Sequence, residues 1–292
     1  MYLERENLAS ILTYLNKMKL KYKSHFVHGF SEVTIPFDKE AFSEFKYGNI
    51  TIAKNMAQEM FEYFKSNYRN SCQNKDIIIY SSPYDKIPTS SLFLTRYFYE
   101  MLKNEFNKNN IFLDKIDRIN TYAEDYGLMT AKERLALISN DTYSLNKKPN
   151  NDSLLIFIDD ISITGTHQIV IENLIENLEI KNDIIFLYYA KLIDKTNPKI
   201  ESYLNSYKIK SVDDLVNLIK SSSFQFTTRT IKFILSLNNN DFKTFINSFH
   251  NTEFDLLGEL IKLALSNKYE KMDCYKNNLN QLINLQKRTV YA

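Results

Sequence analysis

Tryptophan is absent from these 292 residues, and only five glycines and two cysteines occur. Cys72 and Cys274 give neither a disulfide framework nor metal-ligand spacing, so both are expected to be reduced and structural. No apolar run approaches the roughly 18 residues of a membrane-spanning helix, so no membrane association is expected. The opening residues, Met1-Tyr2-Leu3-Glu4-Arg5-Glu6, lack a signal-peptide pattern. A cytoplasmic protein is the default expectation. The net charge of +2 is too small for a strongly basic nucleic-acid binder. There is no Gly-Lys-Ser/Thr phosphate loop, no nucleophile elbow and no Cys–His arrangement. His25 and His28 stand three apart with no evident third ligand, which reads as surface or structural histidine rather than a metal site.

What is present is a globular composition, 44% hydrophobic, with twenty Tyr and twenty Phe. Strand-like and helix-like segments alternate through the first two thirds of the chain. Residues 4–19 have helical periodicity, Val33-Thr34-Ile35 reads as a short strand, and Ile52 to Tyr63 reads as a helix. Asp76 to Tyr80, Ile116 to Ile119, Leu154 to Ile158 and Ile184 to Ala190 read as strands, with a long helix ending near Asn104. Strands separated by helices predict a parallel sheet with right-handed crossovers. From about Lys195 the pattern becomes helical, with segments at Ile200–Tyr207, Val212–Ile219, Thr230–Leu237, Phe242–Phe249, Phe254–Leu265 and Tyr275–Gln286. The expectation is an α/β region over 1–194, including an N-terminal covering segment, and a mainly helical region over 195–292. Apolar positions in the latter, such as Phe233, Phe245 and Leu260, must pack on the core or on a second chain, and a homodimer contact is one outcome of that.

The most informative stretch runs from Leu154 to His167. Five apolar residues read as a strand buried on both faces, and Asp159 and Asp160 stand at its carboxyl end. A Ser/Thr/Gly turn and an amphipathic helix follow. In open α/β sheets that edge is where ligands bind. Gly165 admits close approach of a ligand, and the helix N-terminus favours an anion. The acids need a cation or hydroxyl donors. A sugar phosphate with Mg²⁺ satisfies both halves.

This stretch resembles the 5-phosphoribosyl 1-pyrophosphate (PRPP) motif of type I phosphoribosyltransferases. The resemblance implies a Rossmann-like parallel sheet of that kind, with a helical C-terminal extension. It implies that Asp159 and Asp160 face the ribose hydroxyls, and that Ile163, Thr164, Gly165, Thr166 and His167 wrap the 5′-phosphate. His167 stands where that family usually has Thr or Ser, and Ser162-Ile163 inverts the usual order of polar and apolar residues. The loop Ser81-Ser82-Pro83-Tyr84-Asp85-Lys86 lies where the family holds pyrophosphate, so Ser81, Ser82, Tyr84, Asp85 and Lys86 are candidates for the leaving group. Residues 121–135 stand where the family has a loop that closes over the sugar; Tyr126, Lys132 and Arg134 are its candidate contacts. The segment Ser43-Glu44-Phe45-Lys46-Tyr47-Gly48-Asn49 looks like one in phosphoribosyltransferase-like proteins of bacterial stress and tellurium-resistance gene clusters. The implied activity is transfer of the phosphoribosyl group from PRPP to an unidentified acceptor, with Mg²⁺ held through substrate. A catalytically silent PRPP- or nucleotide-sensing regulator is the alternative, and a structural module whose helical end binds a protein partner is a third.

Overall fold

The computed structural model describes residues 22–72, 75–106, 110–118, 143–194, 197, 199–249 and 254–290. Its centre is a five-stranded sheet built from β1 (Tyr22–Phe30), β2 (Ile77–Ser81), β3 (Ile111–Asp114), β6 (Leu154–Ser162) and β7 (Asp183–Leu192). The spatial order is β1-β7-β6-β2-β3, and every neighbouring pair is parallel. A parallel sheet needs cover on both faces. Here α1 (Lys39–Lys46), α2 (Ile50–Tyr68), α3 (Ser90–Phe106) and α4 (Thr166–Asn177) connect or flank the strands. The continuous burial of Ile77–Ser81, and of Leu154 through Ile158, explains why those strands read as unbroken apolar runs.

The chain runs from β2 outward to β3, then returns to β6 on the other side of β2. Neighbouring strands therefore send their connections in opposite directions at the β2–β6 junction. That reversal opens a crevice at their carboxyl ends, where Ser81 lies beside Ile158.

Strand β6 runs on to Ser162, past the expected end at Ile158, so both acids lie within it, and two other strands differ more from the sequence expectation. Val33–Ile35 is irregular, with Val33 fully at the surface, while the strand in this part of the chain is β1. Its polar sequence is held extended by the backbone of β7, in a register from Tyr22↔Ile184 to Phe30↔Leu192. Ile116–Arg118 (β4) is not part of the main sheet. It pairs antiparallel with β5 (Tyr143–Leu145), while Ile111–Asp114 forms the sheet edge. The helix expected at 4–19 lies outside the described residues.

After β7 the chain is helical: α5 (Ile200–Asn205), α6 (Val212–Ile219), α7 (Thr228–Leu235), α8 (Asn239–Asn247), α9 (Phe254–Ser266) and α10 (Asp273–Val290). The helices from α6 onward enclose their own apolar cluster, which also takes in Tyr47 and Ile87 from the α/β part. Backbone bonds fasten the two parts together. Ile50 N–H donates to Ser223 O at 2.8 Å, Gln225 N–H to Gly48 O at 2.9 Å, and Thr228 N–H to Pro88 O at 2.8 Å. The helical region is thereby fixed beside the crevice. Among the described residues, no helix is long and apolar enough to cross a membrane.

Candidate active site

Strand β6 carries the two acids to the crevice in different environments. Asp160 is 3% exposed, and its Oδ2 accepts from Lys46 Nζ at 2.7 Å and from Ser90 Oγ at 3.1 Å. Lys46 ends α1, so this ion pair ties the first helix of the described chain to the sheet edge. Asp159 is partly exposed towards the crevice. Its Oδ1 accepts the Asp160 backbone N–H at 2.9 Å, and its Oδ2 lies 3.4 Å from His167 Nδ1.

The pair is electrostatically split. Burial pushes the Asp160 carboxyl above its ordinary pKa; Lys46 opposes that and the charge of Asp159 adds to it. Burial pushes Asp159 in the same direction. The hydrogen bond and charge of His167, with help from Ser82 and Lys46, outweigh it and hold Asp159 below the usual carboxylate range. The result is one carboxylate poised at the opening and one anchored behind it.

The turn after β6 is shaped by Gly165, whose φ of +76° is left-handed. A Cβ placed there would meet nothing within 4 Å, so the space over the turn is open. Thr164 and Thr166 hydroxyls are 2.7 Å apart and brace the turn. Gly165, the N-cap of α4, offers no side-chain acceptor, and Thr166 N–H reaches the Thr164 hydroxyl at 3.4 Å; the helix N-terminus here favours an anion. Ile163 turns its side chain into the core, so only its backbone is available here.

These features border a cavity of about 550 Å³. Asp159, Asp160 and all of Ile163, Thr164, Gly165, Thr166 and His167 line it, as do Ser82, Pro83, Ser90 and Ser91. Ser81 is buried at the end of β2. Tyr84, Asp85 and Lys86 are not among the lining residues. Tyr84 lies under Lys115, 4.5 Å from its ring centre, and the Asp85 carbonyl accepts from Lys115 Nζ at 2.5 Å. The Lys86 side chain is exposed, and its backbone N–H donates to Asn267 Oδ1 at 3.1 Å. Tyr126, Lys132 and Arg134 lie outside the described residues. His25 and His28 have separate partners, Tyr68 and Glu59, and no cluster of three metal-ligating side chains occurs among the described residues. Cys72 is buried, whereas Cys274 is exposed and borders the cavity.

Sequence reasoning named no site residue in two further parts of this wall. Lys46 was visible only as part of the Ser43–Asn49 segment. The other part belongs to the helical region: Thr228, Arg229, Lys232 and Phe233 of α7, its C-cap Ser236, and Tyr275 of α10.

The PRTase ComF-like family model, for phosphoribosyltransferases, matches residues 18–282, nearly the whole chain. The chain belongs to the PRTase ComF-like family. Its match runs through the helical region, so the ComF-like pattern takes in both sides of the cavity. No curated protein matches the chain. Solved structures similar to it include a hypoxanthine phosphoribosyltransferase from Staphylococcus aureus, at 14% identity, 48% of this chain, 74% of that one and a TM-score of 0.30. An adenine phosphoribosyltransferase from Trypanosoma brucei, in complex with AMP, pyrophosphate and ribose-5-phosphate, is 13% identical over 57% of this chain and 85% of its own, with a TM-score of 0.33. A hypoxanthine phosphoribosyltransferase from Trypanosoma cruzi, complexed with IMP, is 8% identical over 50% and 76%, with a TM-score of 0.32.

Proposed function

We propose that this ComF-like protein binds PRPP at the β2–β6 crevice and transfers its phosphoribosyl group to an acceptor, releasing pyrophosphate. The observation that carries this is the pairing of a partly exposed carboxylate, Asp159, with an open glycine turn at a helix N-terminus, in one cavity of a phosphoribosyltransferase-family chain. In this reading the backbone N–H groups of 163–167 hold the 5′-phosphate. Asp159 accepts from the ribose hydroxyls and stabilises positive charge developing at the anomeric carbon. The bond from that carbon to the pyrophosphate oxygen breaks, with the electron pair leaving on pyrophosphate. A new bond forms to the acceptor nucleophile, which gives up its proton. Asp160 keeps Lys46 and Ser90 in place and so fixes the strand end. Ser82 and its neighbours face the leaving group.

The donor set also fits Mg²⁺ carried by substrate. The crevice offers hard carboxylate and hydroxyl oxygens, with Asp160 engaged by Lys46 and Asp159, partly exposed, beside His167. Asp159 is the residue that would hold Mg²⁺, through substrate, and the ion would supply charge neutralisation for the departing pyrophosphate. Kinship with the stress and tellurium-resistance cluster proteins is part of this proposal, supported by the Ser43–Asn49 segment.

One observation favours the second reading, a silent PRPP sensor: both acids already have protein partners, Lys46 and His167. Calorimetric titration with PRPP and Mg²⁺, followed by a pyrophosphate-release assay against a panel of nucleobases, separates the two. Binding with release supports the transferase. Binding without release selects the sensor. No PRPP binding, or undiminished binding by Asp159→Asn, overturns both.

A further inference from the structure

The helical region presents an ordered stripe to the cavity. Arg229, Lys232 and Phe233 of α7 and its C-cap Ser236 are spaced i, i+3, i+4 and i+7, one face of the helix, and all four line the cavity. The opposite face, Ile231, Ile234 and Leu235, is buried in the apolar cluster of the helical region. The helix therefore has no freedom to turn the stripe away. Its position relative to the acids is fixed as well. Thr227 Oγ1 donates to Lys46 O at 3.2 Å, Thr230 Oγ1 to Tyr47 O at 2.6 Å, and Thr228 Oγ1 to Ile87 O at 3.0 Å. The stripe is thus built onto the residue that holds Asp160 and onto the segment that follows the Ser82 loop.

Chemistry says what such a wall is for. The 162–168 turn contains no Lys or Arg, so an anion there meets backbone N–H groups with hydroxyl, amide and imidazole donors. The α7 wall is the reverse: two half-buried cationic side chains with an aromatic ring, Phe233, that meets Tyr47 edge-to-face at 5.6 Å. Lys86, the lysine of the loop after β2, lies outside the cavity. We propose that Arg229 and Lys232 form a second anion-binding wall in this cavity, contributed by the helical region and taking phosphate or carboxylate oxygens. This rests on the phosphoribosyl reading of the crevice and deepens it. Two sources present that chemistry: the pyrophosphate of the donor, and an acceptor that carries its own acidic group.

Calorimetry on the full-length protein with three probes tests it: ribose 5-phosphate, inorganic pyrophosphate with Mg²⁺, and the aromatic carboxylate orotate added to protein saturated with ribose 5-phosphate. The variants are Arg229→Gln, Lys232→Gln and, for comparison, Lys86→Gln, each checked for an unchanged urea midpoint. The expected result is that the α7 variants lose about tenfold or more for one anionic probe, as removal of a charge-assisted contact does. Ribose 5-phosphate affinity stays within about twofold. Loss confined to pyrophosphate assigns the wall to the leaving group, and loss confined to orotate assigns it to an acidic acceptor. Unchanged affinity for both, or a loss produced by Lys86→Gln instead, overturns the proposal. If the unaltered protein fails to bind ribose 5-phosphate, it is the reading of the 163–167 turn that falls.

Discussion

A methyl group on Gly48 would lie 2.0 Å from the carbonyl oxygen of Gln225, and the residue's φ is +111°. Both effects oppose any side chain at the junction of α1 and α2, where the helical region is stitched on. Gly48→Ala should cost about 3 kcal/mol, at the upper end of ordinary point substitutions, measured by urea unfolding. The Lys46–Asp160 pair makes a second prediction, with a sign. Asp160 has a raised pKa in the folded chain, so above about 3.8 the folded state holds more protons than the unfolded one, and stability falls as pH rises through that window. Asp159, held low, acts oppositely: its contribution is lost as pH falls below about 3.8. Lys46→Met removes the cation that restrains Asp160. It should cost about 3–5 kcal/mol, as breaking a buried pair does, and steepen the loss of stability with rising pH. Adding Asp160→Asn should remove that extra slope. A slope identical to the original protein's in Lys46→Met would mean that Asp160 does not feel Lys46.

At the scale of the element, β6, its turn and α4 form the unit that carries the proposed phosphate site. Gly165 has a left-handed φ but open space where a Cβ would go, unlike Gly48. Gly165→Ala should therefore cost only about 1 kcal/mol of stability. It should reduce ribose 5-phosphate affinity by an order of magnitude or more, because the methyl occupies space the ligand uses. Equal affinity would place the phosphate elsewhere. This unit was legible in the sequence because its signals are local: five apolar residues, two acids and a glycine turn in one stretch. Strand β1 was not legible. Tyr-Lys-Ser-His-Phe-Val-His-Gly-Phe has no strand-like alternation, and only the exposed edge of β7 makes it extend. Strand β3 is four residues with one fully buried, too little for a periodic signal, so the neighbouring Ile116 drew the assignment instead. The helices after residue 199 were found because amphipathic spacing survives without knowledge of the partner. Which face of α7 meets the crevice was not readable, since Arg229 and Lys232 on a helix look like solvated charge until the tertiary path is known.

At the scale of the whole molecule, the question is whether the α/β part and the helical part are separate units, as a boundary near residue 194 suggests. Their contacts argue for one cooperative unit. Ile200 and Leu204 of α5 belong to the sheet's core cluster, while Tyr47 and Ile87 belong to that of the helices. The Ser43 hydroxyl donates to Asn205 O at 2.8 Å and accepts from Lys208 N–H at 3.1 Å. Removing the helical part would uncover Tyr47 and Ile87 and leave the backbone of Gly48 and Ile50 without their partners. Buried apolar and backbone groups do not tolerate such exposure, so residues 1–194 alone should not give a stable fold. The test on the intact chain is native-state hydrogen exchange under increasing urea. Amides of β6 and of α9 should converge on a single opening free energy, as for one cooperative unit. A state in which α9 exchanges while β6 stays protected would show two units. It would also mean that the α7 wall can leave the crevice without unfolding it.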